Sequence, residues 1–319
     1  MRLVTRADFD GIVCGSLITL MEKVDSYLFV EPKFIQDGVV DIRKGDIIAN
    51  LPYHPNTTLW FDHHITNKDW PFKAPIVPGK GGFRLAPSAA RVVYEYYTTV
   101  ASAAAQESKI QNPKSKIVQG LKVLGSERMR YLLEETDRID AGQLVPDDVL
   151  HPKGYVLISM TLDGKDAEDE PYWLRLIELL RDASLEEILK DPEVKRRCQE
   201  ILDAQEKLRE ILLQRTTLKG NVIFVDLRGI KEIPDGNRFL LYTLFPTGNI
   251  SLKVADDSQR PDTTAISVGY NIFNTTSKVN VGALLKEHGG GGHKVVGSCR
   301  VSRSEAERSI QEIFEAIKE

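Results

Sequence analysis

Three short runs in this 319-residue chain combine residue types able to do polar chemistry. Asp8-Phe9-Asp10-Gly11 follows an apolar stretch and precedes a helical pattern, which puts two carboxylates at the edge where open α/β sheets bind ligands. Adjacent carboxylates suit hard divalent cations, while the same residues also suit a helix N-terminus through capping and the helix dipole. Gly11 removes side-chain bulk from the turn. Asp62-His63-His64 follows Leu59-Trp60-Phe61, and imidazole with carboxylate suits Mn, Fe or Zn better than Ca or Mg. Neighbouring residues on extended backbone point in different directions. One histidine can therefore ligate while the other faces a phosphate, the bland alternative being a surface turn. Gly289-Gly290-Gly291-Gly292-His293 has more glycines than a helix C-cap requires. The excess lets backbone N–H groups approach an anion, with His293 and Lys294 as charge-assisted donors; the bland alternative is a flexible linker.

The elements that must position these runs follow from periodicity. In the first 150 residues, strand-like runs at Arg2-Thr5, Ser26-Val30, Asp46-Ala49 and Leu59-Phe61 alternate with helical patterns, predicting βαβ units around a mostly parallel sheet. Ile12, Leu17, Leu20 and Met21 predict one buried face of a first helix, and Pro87 to Tyr97 predicts another. Asn67-Phe83, rich in Pro and Gly, predicts a long loop. Pro192 to Arg215 predicts a long amphipathic connecting helix. Beyond it, Val222-Val225, Ile250-Val254 and Ala265-Tyr270 predict strands and Val281-Lys286 a helix. Ser304 and Glu307 have capping-box spacing for a last helix ending near Ile317. The expected architecture is α/β in two domains: an N-terminal mostly parallel sheet flanked by helices, and a smaller C-terminal α/β domain, joined by a helical linker. The expected spans are 1–190, 191–216 and 217–319.

Composition narrows the function classes. Forty-two Lys and Arg against 46 Asp and Glu give a net charge of -4, which excludes a surface built for long duplex nucleic acid but leaves room for a local basic groove. Hydrophobic residues at 42% and charged residues at 28% exclude a disordered or fibrous chain. Cys14, Cys198 and Cys299 have no paired spacing, so they form neither a zinc cage nor a disulfide framework, and a reducing compartment fits. No apolar run approaches membrane-spanning length, and acidic Asp8 and Asp10 arrive before a signal-peptide core could form. The expectation is a cytoplasmic protein with no membrane partner.

Taken in order, Asp-x-Asp-Gly, Asp-His-His and GGGGH resemble the DHH phosphoesterase superfamily with its DHH-associated C-terminal domain. That superfamily includes RecJ-type exonucleases, oligoribonucleases that also attack pAp and cyclic-dinucleotide products, exopolyphosphatases and manganese pyrophosphatases. The resemblance covers almost the whole chain. It implies a catalytic domain holding one or two divalent ions, usually Mn with Mg or Co as alternatives, and a C-terminal domain that grips substrate. Carried over by motif, Asp8 and Asp10 would each contact a metal, His63 would ligate and His64 would face the phosphate. His293 with Gly290, Gly291 and Gly292 would hold the nucleotide or terminal phosphate. The family's late aspartate matches Asp137 or Asp140, and both stay open.

Two departures from the family pattern stand out. The His that often precedes the first aspartate pair is absent, Arg6 standing two residues before Asp8, where it would hold a phosphate bidentately. The bridging aspartate that ends the second strand is replaced by Asn50, whose amide brings no charge to balance two cations. The leading reading is metal-assisted hydrolysis of a short phosphate-bearing substrate: a small oligonucleotide, a nucleotide such as pAp, a linear dinucleotide, or polyphosphate. The alternative is a non-hydrolytic nucleotide or phosphate sensor with a degraded metal site. Short single-stranded nucleic acid and a homodimer are open as partners. Arg300, Asn271 and Asn274 are weaker candidates for ribose or phosphate contact, or they cap turns. His54, the acidic run Asp163-Glu170, and Trp60, Trp70 and Trp173 are expected to be structural.

Overall fold

The computed structural model describes residues 1–65, 71–106, 116–164, 166–257 and 259–318. They form two compact units, Met1–Leu144 with Lys153–Cys198, and Val145–Pro152 with Gln199–Glu319. Val145–Pro152, inside the expected 1–190 span, clusters with the second unit. The helix Pro192–Arg215 contributes its residues up to Cys198 to the first unit and the rest to the second. Among the described residues no helix is long and apolar enough to cross a membrane.

The first unit is built on strands β1 (Arg2–Thr5), β2 (Ser26–Phe29), β3 (Ile47–Ala49), β4 (Leu59–Asp62), β5 (Ile76–Val77) and β6 (Gly81–Phe83), in the order β2-β1-β3-β4-β6-β5. All pairings are parallel except β5 with β6. The chain leaves β1 for one side and later returns to the other. The switch point between β1 and β3 is where such sheets expose the carboxyl ends of neighbouring strands to a ligand. Val4, Ile48 and Trp60 cover one face with Ile35, Ile42 and Leu51, each burial contributing about 1.5–3 kcal/mol.

The helix Phe9–Met21 differs from the one-faced element expected. Every residue from Phe9 to Leu20 is buried, because the helix packs against Ala89–Gln106, Lys116–Leu124 and Glu170–Asp182 as well as the sheet. A helix apolar on all sides belongs in the middle of a core.

The expected loop Asn67-Phe83 contains β5 and β6; its residues 67–70, with Trp70, lie outside the described residues. Gly81 has φ 110°, and a Cβ there would meet the Trp60 carbonyl at 2.0 Å. The glycines that read as loop instead let β6 lie hard against β4.

The second unit's strands are β7 (Thr216–Lys219), β8 (Val222–Asp226), β9 (Ile250–Asp256), β10 (Thr263–Tyr270), β11 (Gly291–His293) and β12 (Val296–Ser302), in the order β11-β12-β10-β9-β8-β7. One face packs Leu252, Val254, Ile266 and Val268 against the helices Val281–Glu287 and Ala306–Ile317. On the other, Ile223 and Val225 meet Leu208, Leu212 and Leu240. The last helix starts at Ala306 behind Glu305. Ser302 Oγ donates to Glu305 at 2.8 Å, so the anticipated Ser304–Glu307 box does not form.

The glycine run has a packing cause the spacing could not show. A Cβ on Gly290 would meet the Ser298 carbonyl at 2.2 Å, and one on Gly292, at φ 151°, the Val296 carbonyl at 2.3 Å, whereas at Gly291 nothing lies within 4 Å. Two of the three candidate glycines are thus required by β12 alone. Gly290→Ala is expected to lower stability by about 2 kcal/mol or more, and Gly291→Ala by less than about 1 kcal/mol. Thermal unfolding of both variants checks this, and equal losses would remove the distinction.

Candidate metal centre and phosphate grip

At the carboxyl end of β1, Asp8 caps the first helix, its Oδ1 accepting from the Gly11 N–H at 2.9 Å. Asp10 lies two residues on, in the first turn of that helix, and is 2% exposed. Its two oxygens accept the Ala89 and Ala90 N–H groups, both at 2.8 Å. These are orphan donors of the helix Ala89–Gln106, where the helix dipole favours an anion. Burial, then the charges of Asp140 and Asp8, push the Asp10 carboxyl well above its usual range against the pull of those two N–H groups. Burial raises Asp140 as well.

His63 follows β4. Its Nδ1 lies 2.9 Å from the Ala86 carbonyl, so Nδ1 is the donor there and Nε2 is the nitrogen left to offer a lone pair to a cation. That Nε2 is buried without a hydrogen-bond partner, 3.3 Å from Asp140 Oδ2 and 3.9 Å from Asp10 Oδ2. Ligand atoms of Asp10, His63 and Asp140 all lie within 4.8 Å of one another. An imidazole nitrogen and two carboxylates converging on one point are the donors a cation standing among them would use. The imidazole-carboxylate set fits a divalent transition ion, and the carbonyl behind Nδ1 is the usual orienting partner of a ligating histidine.

His64 lies beside His63, ring centres 4.2 Å apart, with Nδ1 2.9 Å from Asp62 Oδ1. The hydrogen bond to Asp62 raises the His64 pKa against its partial burial. Asp62 is fully buried and positions His64 while ending β4.

The structure separates the two late aspartates. Asp137 accepts from Ser88 Oγ at 2.6 Å and from Arg91 Nε at 2.8 Å, tying helix Glu127–Asp140 to helix Ala89–Gln106. Asp140, one turn on, faces His63. Ser88, Arg91, the Ala86 carbonyl and the Ala89 and Ala90 N–H groups were missed by the sequence reading. Their one signal was Pro87 at a helix start, which marks free N–H groups but not what they hold.

Arg6 sits beside the centre, where it pairs with Asp8 Oδ2 at 2.7 Å and Glu31 at 3.3 Å. Asn50 does end β3 beside the aspartates. It has φ 58°, a left-handed conformation that Asn tolerates, and its Nδ2 donates to Asp8 Oδ1 at 3.0 Å. In the second unit, His293 is exposed on β11, opposite Val296. Arg300 is four residues further along β12, about 13 Å at strand spacing, and pairs with Asp257 at 2.6 Å. The structure therefore does not bring Arg300 to His293. Asn271 bonds the Gly248 carbonyl at 2.7 Å and the Phe273 N–H at 2.9 Å, and His54 accepts the Asn56 N–H at 3.2 Å, both holding turns.

The sequence matches no family model and no curated protein. Among solved structures, a pGpG-specific phosphodiesterase, PggH, from Vibrio cholerae is 32% identical, with 99% of each chain covered and a TM-score of 0.80. RecJ in complex with Mn2+ from Thermus thermophilus is 14% identical over 99% of this chain and 52% of that one, with a TM-score of 0.47.

Asn50→Asp sets a carboxylate in place of the amide that steadies Asp8. The variant is expected to lose on the order of 1–2 kcal/mol of stability in chelator and to bind Mn2+ about tenfold more tightly. Melting with and without the ion, together with a metal titration, checks both. No gain in affinity would mean that position 50 does not face the ion.

Proposed function

Because the chain belongs to the DHH phosphoesterase superfamily and is a phosphoric ester hydrolase, we propose that it cleaves short linear dinucleotides, pGpG among them, using manganese held by Asp10, His63 and Asp140. The observation that carries the metal assignment is the buried, partnerless Nε2 of His63 facing two carboxylates. The substrate class rests on 32% identity, over 99% of both chains, to a phosphodiesterase described as pGpG-specific. An acidic balance and a chain of this size agree with a short substrate rather than a long strand held by many phosphate contacts.

When bound by Asp10, His63 and Asp140, the ion would supply Lewis-acid polarisation of the phosphoryl group and a lowered pKa for the attacking water. The chain's own residues do the remaining work. The Ala89 and Ala90 N–H groups keep Asp10 oriented with both oxygens fixed. The Ala86 carbonyl fixes the His63 tautomer. His64, whose bond to Asp62 favours the protonated form, would present a donor to the phosphate. Asp8, held by Gly11, Arg6 and Asn50, would lend negative charge beside the ion. Asp137 supports Asp140 from the same helix. In the second unit, Gly291, whose missing side chain no packing requires, is the point of closest backbone approach for an anion, with His293 and Lys294 as its donors.

His63→Ala is expected to lower kcat for pGpG on the order of 10³-fold with little change in melting temperature in chelator. Chelation should silence the unsubstituted chain and Mn2+ restore it. Mononucleotide release within tenfold of the unsubstituted chain would place the chemistry elsewhere. Gly291→Ala is expected to raise KM with kcat nearly unchanged; a loss confined to kcat would contradict the grip.

A further inference from the structure

Asp8 starts the same turn as Asp10, yet both of its oxygens already have partners in the chain. Oδ1 accepts from the Gly11 N–H at 2.9 Å and from Asn50 Nδ2 at 3.0 Å, and Oδ2 pairs with an Arg6 Nη at 2.7 Å. Turning the Asn50 amide round would set its oxygen against a carboxylate oxygen, so the donor end is the one that faces Asp8. A metal ion needs lone pairs, and around Asp8 the neighbours present hydrogens instead. A cation placed there would have to displace these donors and stand against the guanidinium, a like charge that does not lose its proton in a protein. The other possible ligand trio, Asp62, His63 and His64, shares His63 with the first, and its His64 Nδ1 is engaged by Asp62 Oδ1 at 2.9 Å. The residues present therefore fit one ion at Asp10, His63 and Asp140 and do not fit a second at Asp8.

A single ion leaves a phosphoryl site with less positive charge than a metal pair, which can neutralise the attacking and the leaving oxygen together. Arg6 stands where the missing charge is wanted. A Cβ on Gly11 would meet the Arg6 carbonyl at 2.3 Å, so the backbone that carries the guanidinium is pressed against the first turn of the helix. The Arg6 charge acts on Asp140 and His64 as well as on Asp8. Its second Nη pairs with Glu31 at 3.3 Å, and since the Glu31 side chain is 49% exposed this pair is weak. A phosphate oxygen can take the place of Glu31 while the bond to Asp8 stays in place, using the planar fork that suits arginine to phosphate.

We infer that the centre takes a single divalent ion and that the Arg6 guanidinium stands in for a second one, neutralising Asp8 and gripping the substrate phosphate; this rests on the metal assignment above.

Equilibrium dialysis of the full chain against Mn2+, with the bound metal counted, is the first test. One ion per chain is expected for the unsubstituted chain, for Arg6→Gln and for Asn50→Asp. Arg6→Gln combined with Asn50→Asp removes the like charge and supplies a carboxylate, and should take two. Calorimetric titration of the Mn2+-loaded chains with inorganic phosphate then reads the grip. Arg6→Gln, which can still donate to Asp8, is expected to bind phosphate about tenfold or more weakly, the scale of a charge-assisted hydrogen bond. Arg6→Lys, which keeps the charge without the fork, should recover part of that loss. Two ions per unsubstituted chain, or one in the double variant, would overturn the inference and leave the metal assignment standing. Phosphate binding unchanged in Arg6→Gln, or weakened equally in both Arg6 variants, would overturn it as well by making Arg6 a structural residue. No bound ion, or metal binding that survives His63→Ala unchanged, would sink the metal assignment itself and the single-ion count with it.

Discussion

The centre depends on keeping one carboxylate, Asp10, in a place that water does not reach. Burying an ionised carboxylate without partners costs several kcal/mol, and here burial pushes its pKa up accordingly. The compensation comes from the first turn of the helix Ala89–Gln106, whose N–H groups have no partners within the helix. Neither partner is satisfied alone. The helix must therefore reach the carboxyl end of β1, and the packing enforces this: Phe61 on β4 meets Tyr96 edge to face at 5.1 Å. The same strand that buries Phe61 against this helix delivers Asp62 and His63 to the site one and two residues later.

A second tie makes the arrangement rigid. Ser88 and Arg91, from the first turn of the same helix, take up both oxygens of Asp137. This fixes the rotation of the helix Glu127–Asp140 about its axis, and Asp140, three residues on, is carried round to His63. The two aspartates that look equivalent in the sequence thus divide the labour. One holds a helix in place, and the other is left facing a nitrogen lone pair. Rigid positioning of this kind is what a metal ligand set requires, since misplacement of a fraction of an ångström is felt in affinity and rate.

Much of this was legible before any coordinates. Strand-end placement of Asp8, Asp10, Asp62 and His63 followed from apolar runs giving way to polar ones, and the long helix Pro192–Arg215 followed from its period. The order of three motifs was enough to indicate the family. What stayed hidden was decided by contacts between residues far apart in the chain. Spacing cannot tell that Arg91 takes Asp137, that Glu31 and Asp8 neutralise Arg6, or that Asp257 takes Arg300. The glycine run illustrates the same limit. Counting four glycines suggests an anion cradle, but only the position of β12 shows that Gly290 and Gly292 are excluded from bearing a side chain while Gly291 is not. The β5 and β6 strands were lost for a related reason, since glycines that permit close strand approach look like loop.

Asn50 shows how a departure from the family pattern can be absorbed. An aspartate there would stand against Asp8 and would need further positive charge to be tolerated. The amide instead donates to Asp8, and Arg6 takes that residue's other oxygen. Both oxygens of Asp8 therefore meet donors of the chain itself. The remaining demand for positive charge is concentrated at Asp10, His63 and Asp140, toward which the buried Nε2 of His63 faces. On the proposed assignment, an amide in place of a carboxylate at the end of β3 would leave the burden of holding an ion to that trio, without dismantling the geometry that presents it.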